Sequence, residues 1–187
     1  KNELLFGRPC LDPADAPRGT VGIPRALNMY ENYPFWHTFF TELGFAVYHS
    51  PLSSRKLYLQ GQGTIPSDTA CFPAKLAHGH IAWLAERKPD AIFYPCMTYN
   101  IDEGLGQNHY NCPVVAYYPE VLAGNCPELY GTDFIYDYVG LHRPADFTKK
   151  ITAILRRHFP DITAREVRKA SAAAKRARSE MPAGETL

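Results

Sequence analysis

The sequence has 187 residues, 45% hydrophobic and 13% aromatic, which is enough to bury the core of one compact domain and excludes a disordered chain. Twenty basic residues against nineteen acidic ones give a formal net charge of +1, so the charge does not indicate a nucleic acid or an anionic membrane as partner. No apolar run approaches the roughly 18 to 20 residues of a membrane-spanning helix. A start at Lys1 and the lack of a secretory apolar region predict a cytoplasmic protein or a piece excised from a longer one.

Short apolar runs alternate with helix-like segments, which predicts an α/β fold with a parallel sheet of about five strands and helices on both faces. Residues 1–18 contain three prolines and are predicted to be a connector. The α/β domain is then expected over residues 19–160. Its predicted strands, in chain order, are Thr20–Ile23, Phe45–His49, Ala91–Tyr94, Pro113–Tyr118 and Thr132–Tyr138.

Helical segments are predicted at Arg25–Leu43, from Ser53 to about Leu59, from about Pro73, and at Phe147–Phe159. Residues 161–187 are predicted to be a basic helical extension or a linker to a following domain. Within them Arg165–Glu180 carries six basic residues against two acidic ones. Its alanine-rich middle is typical of a solvated helix that has little to bury.

Cys71 lies just before a predicted helix. Pro73 suits the first helical turn, and Ala77, Ile81 and Leu84 recur at helical spacing. The free N–H groups and the positive dipole end of a helix N-terminus favour an anion. A thiolate, or a metal cluster with net negative charge, is therefore favoured at this position.

Cys96 follows the predicted strand Ala91–Tyr94 and so lies at its C-terminal end. In a strand–helix–strand unit the helix begins at the edge where the strands end, and open α/β sheets bind ligands at that edge. Cys71 and Cys96 are therefore expected to share one edge. Spacing alone slightly favours the alternative that both are packed as small hydrophobic residues.

The remaining cysteines are predicted to lie outside the site. Cys112 precedes the predicted strand Pro113–Tyr118, so we expect a buried, inert thiol at the opposite edge. Cys126 follows that strand, and a packed thiol in a turn is its favoured interpretation, whereas Cys10 is interpreted as a bystander. Five cysteines without a Cys-x-x-Cys pair also argue against a disulfide framework or a zinc finger.

Four motifs stand out in the chain: Val21–Glu31, Gly63–Lys75, Phe93–Tyr99 and Asn108–Pro113. They resemble a domain of the large activase-related proteins of 2-hydroxyacyl-CoA dehydratase systems. In those proteins the domain follows ATPase modules of the BadF/BadG/BcrA/BcrD type. It is more distantly similar to the dehydratase subunits themselves and to double-cubane-cluster proteins.

The resemblance implies a flavodoxin-like α/β domain that holds an iron–sulfur cluster through cysteines in its loops. Carried over by position, Cys71 and Cys96 match two cluster ligands. The third ligand of the dehydratase subunits comes from a second domain that is outside this chain. The chain has no glycine-rich phosphate loop, so we do not expect it to hydrolyse nucleotide or to be an enzyme alone. The parent protein is expected to be an activase or reductase.

Polar residues near the two cysteines are the candidate cofactor-binding groups. Lys75 lies one turn into the Cys71 helix, where it can offset cluster charge or meet a phosphate of a CoA ester. Arg25 follows the first strand and lies across the crevice from Cys96 if the strand order is 2-1-3-4-5. For Lys75 the alternative is an ordinary solvated helix lysine, and for Arg25 it is an ordinary cap or a surface ion pair. Other residues expected around the site are Tyr94, Thr98, Tyr99 and Asn100.

Zinc is the competing metal. His109 could join Cys71 and Cys96 as a ligand, but the paired spacing of zinc sites is absent. His78 and His80 are two residues apart, about 200° around a helix, and cannot bind one ion.

Asp102 and the adjacent Glu103 could form a general acid and base pair. A solvated loop is the favoured interpretation of the two residues.

With the resemblance included, we expect a domain that holds or receives an iron–sulfur cluster in low-potential electron transfer, within a cytoplasmic system that activates a CoA-ester dehydratase. Expected partners are ATPase modules of the same polypeptide or complex and a CoA-ester dehydratase, without nucleic acid or membrane. The alternative is a metal-free module whose edge binds a CoA-type ligand or docks a partner subunit. Two cysteines are too few for a complete cluster, so the sequence leaves both open.

Overall fold

A parallel four-stranded sheet in the order β2-β1-β3-β4 organises the computed structural model, which describes residues 2–102 and 106–180. The predicted α/β fold is confirmed, with four strands among the described residues where about five were expected. The strands are β1 (Thr20–Ile23), β2 (Ala46–His49), β3 (Ala91–Phe93) and β4 (Phe134–Ile135). The helices are α1 (Asn2–Phe6), α2 (Asn28–Glu31), α3 (Tyr33–Glu42), α4 (Arg55–Gly61), α5 (Phe72–Ala85), α6 (Pro113–Asn125), α7 (Pro144–His158) and α8 (Ala164–Ser179).

Helical crossovers join the parallel strands. Val21 of β1 lies opposite Val47 of β2 and Ala91 of β3, and Ile92 of β3 lies opposite Phe134 of β4. The crossovers from β1 to β2 and from β2 to β3 run in opposite directions across the sheet, and right-handed connections then put their helices on opposite faces. Accordingly α3 and α7 pack with α8, whereas α5 packs with α4 and α6.

The segment Pro113–Tyr118 forms the first half of α6, so the strand predicted there is wrong. Its β-branched and aromatic residues are typical of strands, which is why the sequence pattern favours the wrong element. Pro113 occupies the first helical turn, where a missing N–H costs nothing, and Ala116, Pro119 and Leu122 are buried at a helical spacing of three. The chain therefore passes from β3 to β4 through a helix.

The predicted strand Thr132–Tyr138 is confirmed in part. β4 covers two of its residues, and an isolated bridge pairs Cys96 with Tyr138 beyond the end of β4. The sheet is thus extended by one residue pair towards the candidate site.

Aromatic side chains of α3 form the centre of the core. Trp36 and Phe40 are fully buried, and their rings lie 4.6 and 4.9 Å from that of Phe93 on β3. Phe147 of α7 packs edge-on against Phe35 at 5.6 Å. Each such ring buries about 150–250 Å² of surface, so this cluster contributes much of the hydrophobic stabilisation.

Helix α8 packs against α3, although its alanine-rich sequence suggests little to bury. The buried residues of α8 are Val167, Ala170, Ser171, Ala174 and Ala177. Small side chains let the two helices approach closely, while the basic residues lie outside this stripe. Arg18 attaches the start of α8 to the sheet by bonding Asp161 at 2.8 Å and Glu166 at 2.9 Å. Leu5 and Phe6 of α1 are also buried, so part of residues 1–18 packs on the domain.

Helices α4 and α5 are in backbone contact at two glycines. A Cβ atom at Gly79 would lie 2.0 Å from the Leu57 carbonyl oxygen, and one at Gly61 would lie 2.2 Å from the Gly79 nitrogen. Backbone atoms cannot give way as side chains do. Any larger residue at either position must therefore separate the helices.

We predict that Gly79→Ala lowers the free energy of unfolding by about 2 kcal/mol or more, because it forces α4 away from α5. Alanine ordinarily stabilises a helix interior by up to about 1 kcal/mol relative to glycine. Gly124→Ala in α6 is the matched control, since nothing lies within 4 Å of the added methyl. Urea unfolding of both variants measures the difference, and a Gly79→Ala variant as stable as Gly124→Ala would contradict this packing.

Candidate functional site

The candidate site lies at the edge of the sheet where the strands end. Because all four strands are parallel, the chain leaves each one at this edge, and the crossover helices α5 and α6 begin there. The strand order reverses between β1 and β3, and open α/β sheets bind ligands at such a reversal. Arg25 follows β1 and Cys96 follows β3, so the two residues flank this point.

Cys71 is the residue immediately before α5. Its backbone is extended, its side chain makes no capping hydrogen bond, and its thiol is exposed. The next residue, Phe72, is also exposed at 61% and contacts the ring of Tyr58 at 5.8 Å between centroids. A reactive group and an apolar ring are therefore presented together at the start of a 14-residue helix.

Lys75 supports the loop that carries Cys71. Its Nζ donates a hydrogen bond of 2.7 Å to the Asp68 carbonyl, and its backbone N–H bonds to the Cys71 carbonyl. Ser67 and Thr69 close the same loop through a 2.7 Å bond between their hydroxyl oxygens. The lysine side chain thus fixes the loop that leads into α5.

Cys96 has the opposite environment, with a side chain only 1% exposed. Its backbone N–H donates to the Asp137 carbonyl and its own carbonyl accepts from Val139, which holds it between β3 and the chain after β4. Burial, reinforced by the negative charge of Glu120, raises the pKa of the Cys96 thiol to about 11. The free thiol is therefore neutral at physiological pH.

Cys112 lies on the same edge as Cys71 and Cys96, and the prediction of a buried thiol at the opposite edge is wrong. It is the residue before α6, it is exposed, and its Sγ accepts a 3.5 Å hydrogen bond from the Val115 backbone N–H. The error follows from the strand assigned to Pro113–Tyr118, since a strand there would have reversed the direction of the chain. Helix α6 brings a third cysteine to the candidate site.

The loop after Cys96 contains a short antiparallel pairing of its two sides. Tyr99 and Tyr110 form an isolated bridge, and the Asn111 N–H donates to the Thr98 carbonyl at 3.1 Å. The Asn100 side-chain amide donates a 3.3 Å hydrogen bond to Glu31 Oε1, which connects this loop to α2. These bonds orient the polar residues across the crevice.

Two further candidates, Arg25 and Tyr94, are buried. The Arg25 side chain is 8% exposed, and the centre of its guanidinium lies 3.7 Å from the Phe6 ring centroid. Tyr94 is fully buried, its hydroxyl has no hydrogen-bond partner among the described residues, and burial raises its pKa. Neither presents a freely solvated polar group to the edge.

The described residues do not assemble the alternative zinc site. His109 Nε2 lies 3.4 Å from Asp102 Oδ1, so the histidine pairs with this carboxylate. Across residues 2–102 and 106–180, no three side chains of His, Cys, Asp or Glu are placed to hold one metal ion. Glu103, the other half of the acid and base pair, lies outside the described residues.

His78 and His80 are buried on different sides of α5, as their spacing requires. His78 bonds the hydroxyls of Thr64 at 2.7 Å and Tyr118 at 3.0 Å, whereas His80 bonds those of Ser50 at 2.7 Å and Ser53 at 3.0 Å. Desolvation lowers the pKa of both imidazoles to about 4. Both are neutral packing residues.

Cys126 joins the His78 cluster. Its Sγ lies 3.5 Å from His78 Nδ1 and 3.6 Å from Thr64 Oγ1, and burial raises its thiol pKa to about 11. It is a packed thiol, away from the edge that carries Cys71.

The fold and the candidate site define a class of protein. It is a parallel α/β domain that carries thiols and a buried arginine at the edge where such sheets bind ligands. The sequence profile described as the CoA enzyme activase uncharacterised domain matches residues 20–184. The chain therefore belongs to this family. Comparisons with curated proteins and with solved structures find no significant match. Within the part of the chain that the structure describes, none of the helices has the length and apolar character needed to cross a bilayer.

We predict that Cys71 and Cys112 react with iodoacetamide at neutral pH much faster than Cys96 and Cys126. The first two thiols are exposed, whereas burial raises the pKa of the last two to about 11. Mass spectrometry of each cysteine against time and pH measures the rates. The rate at Cys96 should keep rising to about pH 11, since the thiolate is the reacting form. Equal rates at Cys71 and Cys96 at neutral pH would contradict the assigned environments.

Proposed function

We propose that this domain contributes Cys71 and Cys96 as thiolate ligands to an iron–sulfur cluster that takes part in low-potential electron transfer. The observation that carries the proposal is the position of Cys71, an exposed thiol at the N-terminus of α5 on the same sheet edge as Cys96. An exposed ligand can be presented to a group on another domain or subunit. Membership in the CoA enzyme activase family supports a role beside an ATPase.

The described residues supply only part of such a site. Clusters of this type need several thiolates, and no group of three ligands is gathered among the residues that the structure describes. Cys112 adds a third thiol to the edge, and the exposure of both Cys71 and Cys112 leaves them open to a partner. We therefore propose a cluster shared with another part of the polypeptide or with a partner subunit. The bound cluster would carry one electron at a time.

Cys96 fits the role of a ligand that is protected until iron binds. Its raised pKa keeps the free thiol neutral, and coordination of iron must release the proton. Iron binding is therefore expected to weaken as the pH falls.

The polar residues predicted from the sequence are proposed to support the cluster site, and the role of Lys75 changes from offsetting cluster charge or binding a phosphate to holding the loop. Lys75 positions the Cys71 loop, while Thr98 and Asn100 shape the opposite wall of the crevice. Arg25 provides positive charge on the β1 side. We place the domain in the cytoplasm with ATPase modules and a CoA-ester dehydratase as partners, and assign it no catalysis of its own.

A metal-free docking module is the second candidate, favoured by exposed aromatic rings on the same edge. Phe72 beside Cys71 is 61% exposed, and Tyr110 on the loop after β3 is 73% exposed. Rings of this kind are enriched at protein interfaces. In this case the edge would bind a partner subunit or a CoA-type ligand, and the cysteines would be structural.

The test is iron and sulfide analysis of the full-length protein purified without oxygen. We expect bound iron and sulfide in the wild type, and an affinity for iron at least about tenfold lower in Cys71→Ser and Cys96→Ser. Cys10→Ser is the matched control, because Cys10 is exposed and its Sγ contacts His37 at 3.5 Å, outside the candidate site. Equal iron content in all four proteins would overturn the ligand assignment and favour the docking module. Stoichiometric zinc would overturn it in favour of a structural zinc site.

A further inference from the structure

Arg25 is a buried cation that has no acidic partner among the described residues. Its side chain is 8% exposed, and none of the ion pairs among the described residues includes it. Within the described part of the chain, its guanidinium faces the rings of Phe6 at 3.7 Å and Tyr30 at 5.5 Å. Burying a charge without a counter-charge is unfavourable, and a ring face compensates for only a small part of the lost hydration.

Arg87 shows the ordinary version of the same contact. Its guanidinium lies 3.3 Å from the Trp83 ring, but the side chain is exposed and also donates to the Trp83 carbonyl at 2.9 Å. Water therefore hydrates its free face. Arg25 has little of this hydration, and its buried Nε has no hydrogen-bond partner among the described residues.

Other polar groups near Arg25 in the chain are also buried without partners. Asn28 is 4% exposed and Tyr33 is fully buried. The buried atoms that lack a hydrogen bond among the described residues are, in this segment, Arg25 Nε, Asn28 Nδ2, Asn28 Oδ1, Asn32 Oδ1 and Tyr33 Oη. Native proteins rarely leave such atoms unpaired, so their concentration in this one short segment indicates a missing binding partner.

The backbone between Arg25 and Asn28 is strained. Leu27 has φ 47° and ψ −135°, a sparsely populated conformation for a residue with a side chain. The Arg25 N–H is fixed by a 2.7 Å hydrogen bond to Ser50 Oγ, and the same oxygen bonds His80 Nδ1 at 2.7 Å. Ser50 after β2, itself bonded to His80 on α5, thus holds the start of the Arg25–Asn28 segment in place.

We propose that the segment Arg25–Tyr33 is an oxyanion-binding site, in which the Arg25 guanidinium binds a phosphate or carboxylate group of a small ligand. The amide of Asn28 both donates and accepts, so it suits an amide or hydroxyl next to that oxyanion. The segment follows β1 beside the reversal in strand order, where α/β sheets bind ligands. The oxyanion would be bound by Arg25 and Asn28 and not by the thiols, so the test of this site needs no cluster.

The test measures the thermal unfolding midpoint of the 187-residue chain against inorganic phosphate, acetate and, at matched ionic strength, chloride. We expect a saturable increase with phosphate or acetate but not with chloride, and an affinity about tenfold or more weaker in Arg25→Gln. Arg87→Gln is the matched control, since it removes an arginine that also stacks on a ring. A stronger response to phosphate would identify a phosphate ester as the ligand group, and a stronger response to acetate a carboxylate.

Asn28→Ala keeps the proposal testable if Arg25→Gln does not fold. It leaves the charge in place and should still weaken binding of the preferred oxyanion by a few fold, because a buried donor is lost. Circular dichroism establishes that each variant is folded. The same response in wild type, Arg25→Gln and Arg87→Gln, or no response to either oxyanion, would overturn the proposal and leave buried water as the partner of these atoms.

Discussion

The parallel direction of the strands is the constraint on which the candidate site depends. It requires every crossover helix to begin at the edge where the strands end, so chain segments far apart in sequence start their helices side by side. Cys71 and Cys112 belong to different crossovers, yet each is the residue immediately before such a helix. The site is thus a consequence of topology, and each loop has only to supply the appropriate side chain.

The edge combines groups of contrasting character. Cys71 and Cys112 are exposed and available to a partner, whereas Cys96 is buried and neutral. On the β1 side Arg25 contributes a buried positive charge. An iron–sulfur cluster bound by thiolates is anionic, as are phosphate and carboxylate groups. The thiols suit the cluster, and Arg25 after the neighbouring strand β1 suits a phosphate or carboxylate. The two proposals therefore describe neighbouring sites that can be tested separately.

The sequence was sufficient for the α/β class, the parallel sheet and three of its strands, because buried parallel strands form short apolar runs between turn residues. It was insufficient for α6, where Val114, Val115 and Tyr117 favour a strand locally and only the tertiary packing of Leu122 and its neighbours favours a helix. One wrong element then moved Cys112 to the wrong edge. Long-range contacts decided this outcome, and they have no local signal. The burial of Arg25 was equally hidden, since the ring that covers its guanidinium belongs to Phe6 on α1, far earlier in the chain.

The packing of α8 on α3 was missed because small alanine side chains mark a buried helix face only weakly against the polar face. Solvated helices are also rich in alanine, so composition alone does not separate the two cases. In contrast, the separation of His78 and His80 followed directly from helical geometry and agrees with their different partners.

The placement of Cys112 at the same sheet edge as Cys71 is the central claim, and a spin-label distance measurement tests it most directly. Both proteins to be compared carry Cys10→Ser. The first is labelled on Cys71 and Cys112. The second also carries Cys112→Ser and Asn125→Cys, and is labelled on Cys71 and on position 125 at the exposed far end of α6. Helix α6 has 13 residues and is about 20 Å long. We predict a clearly shorter distance from Cys71 to position 112 than to position 125. An equal or longer distance to position 112 would contradict the shared edge.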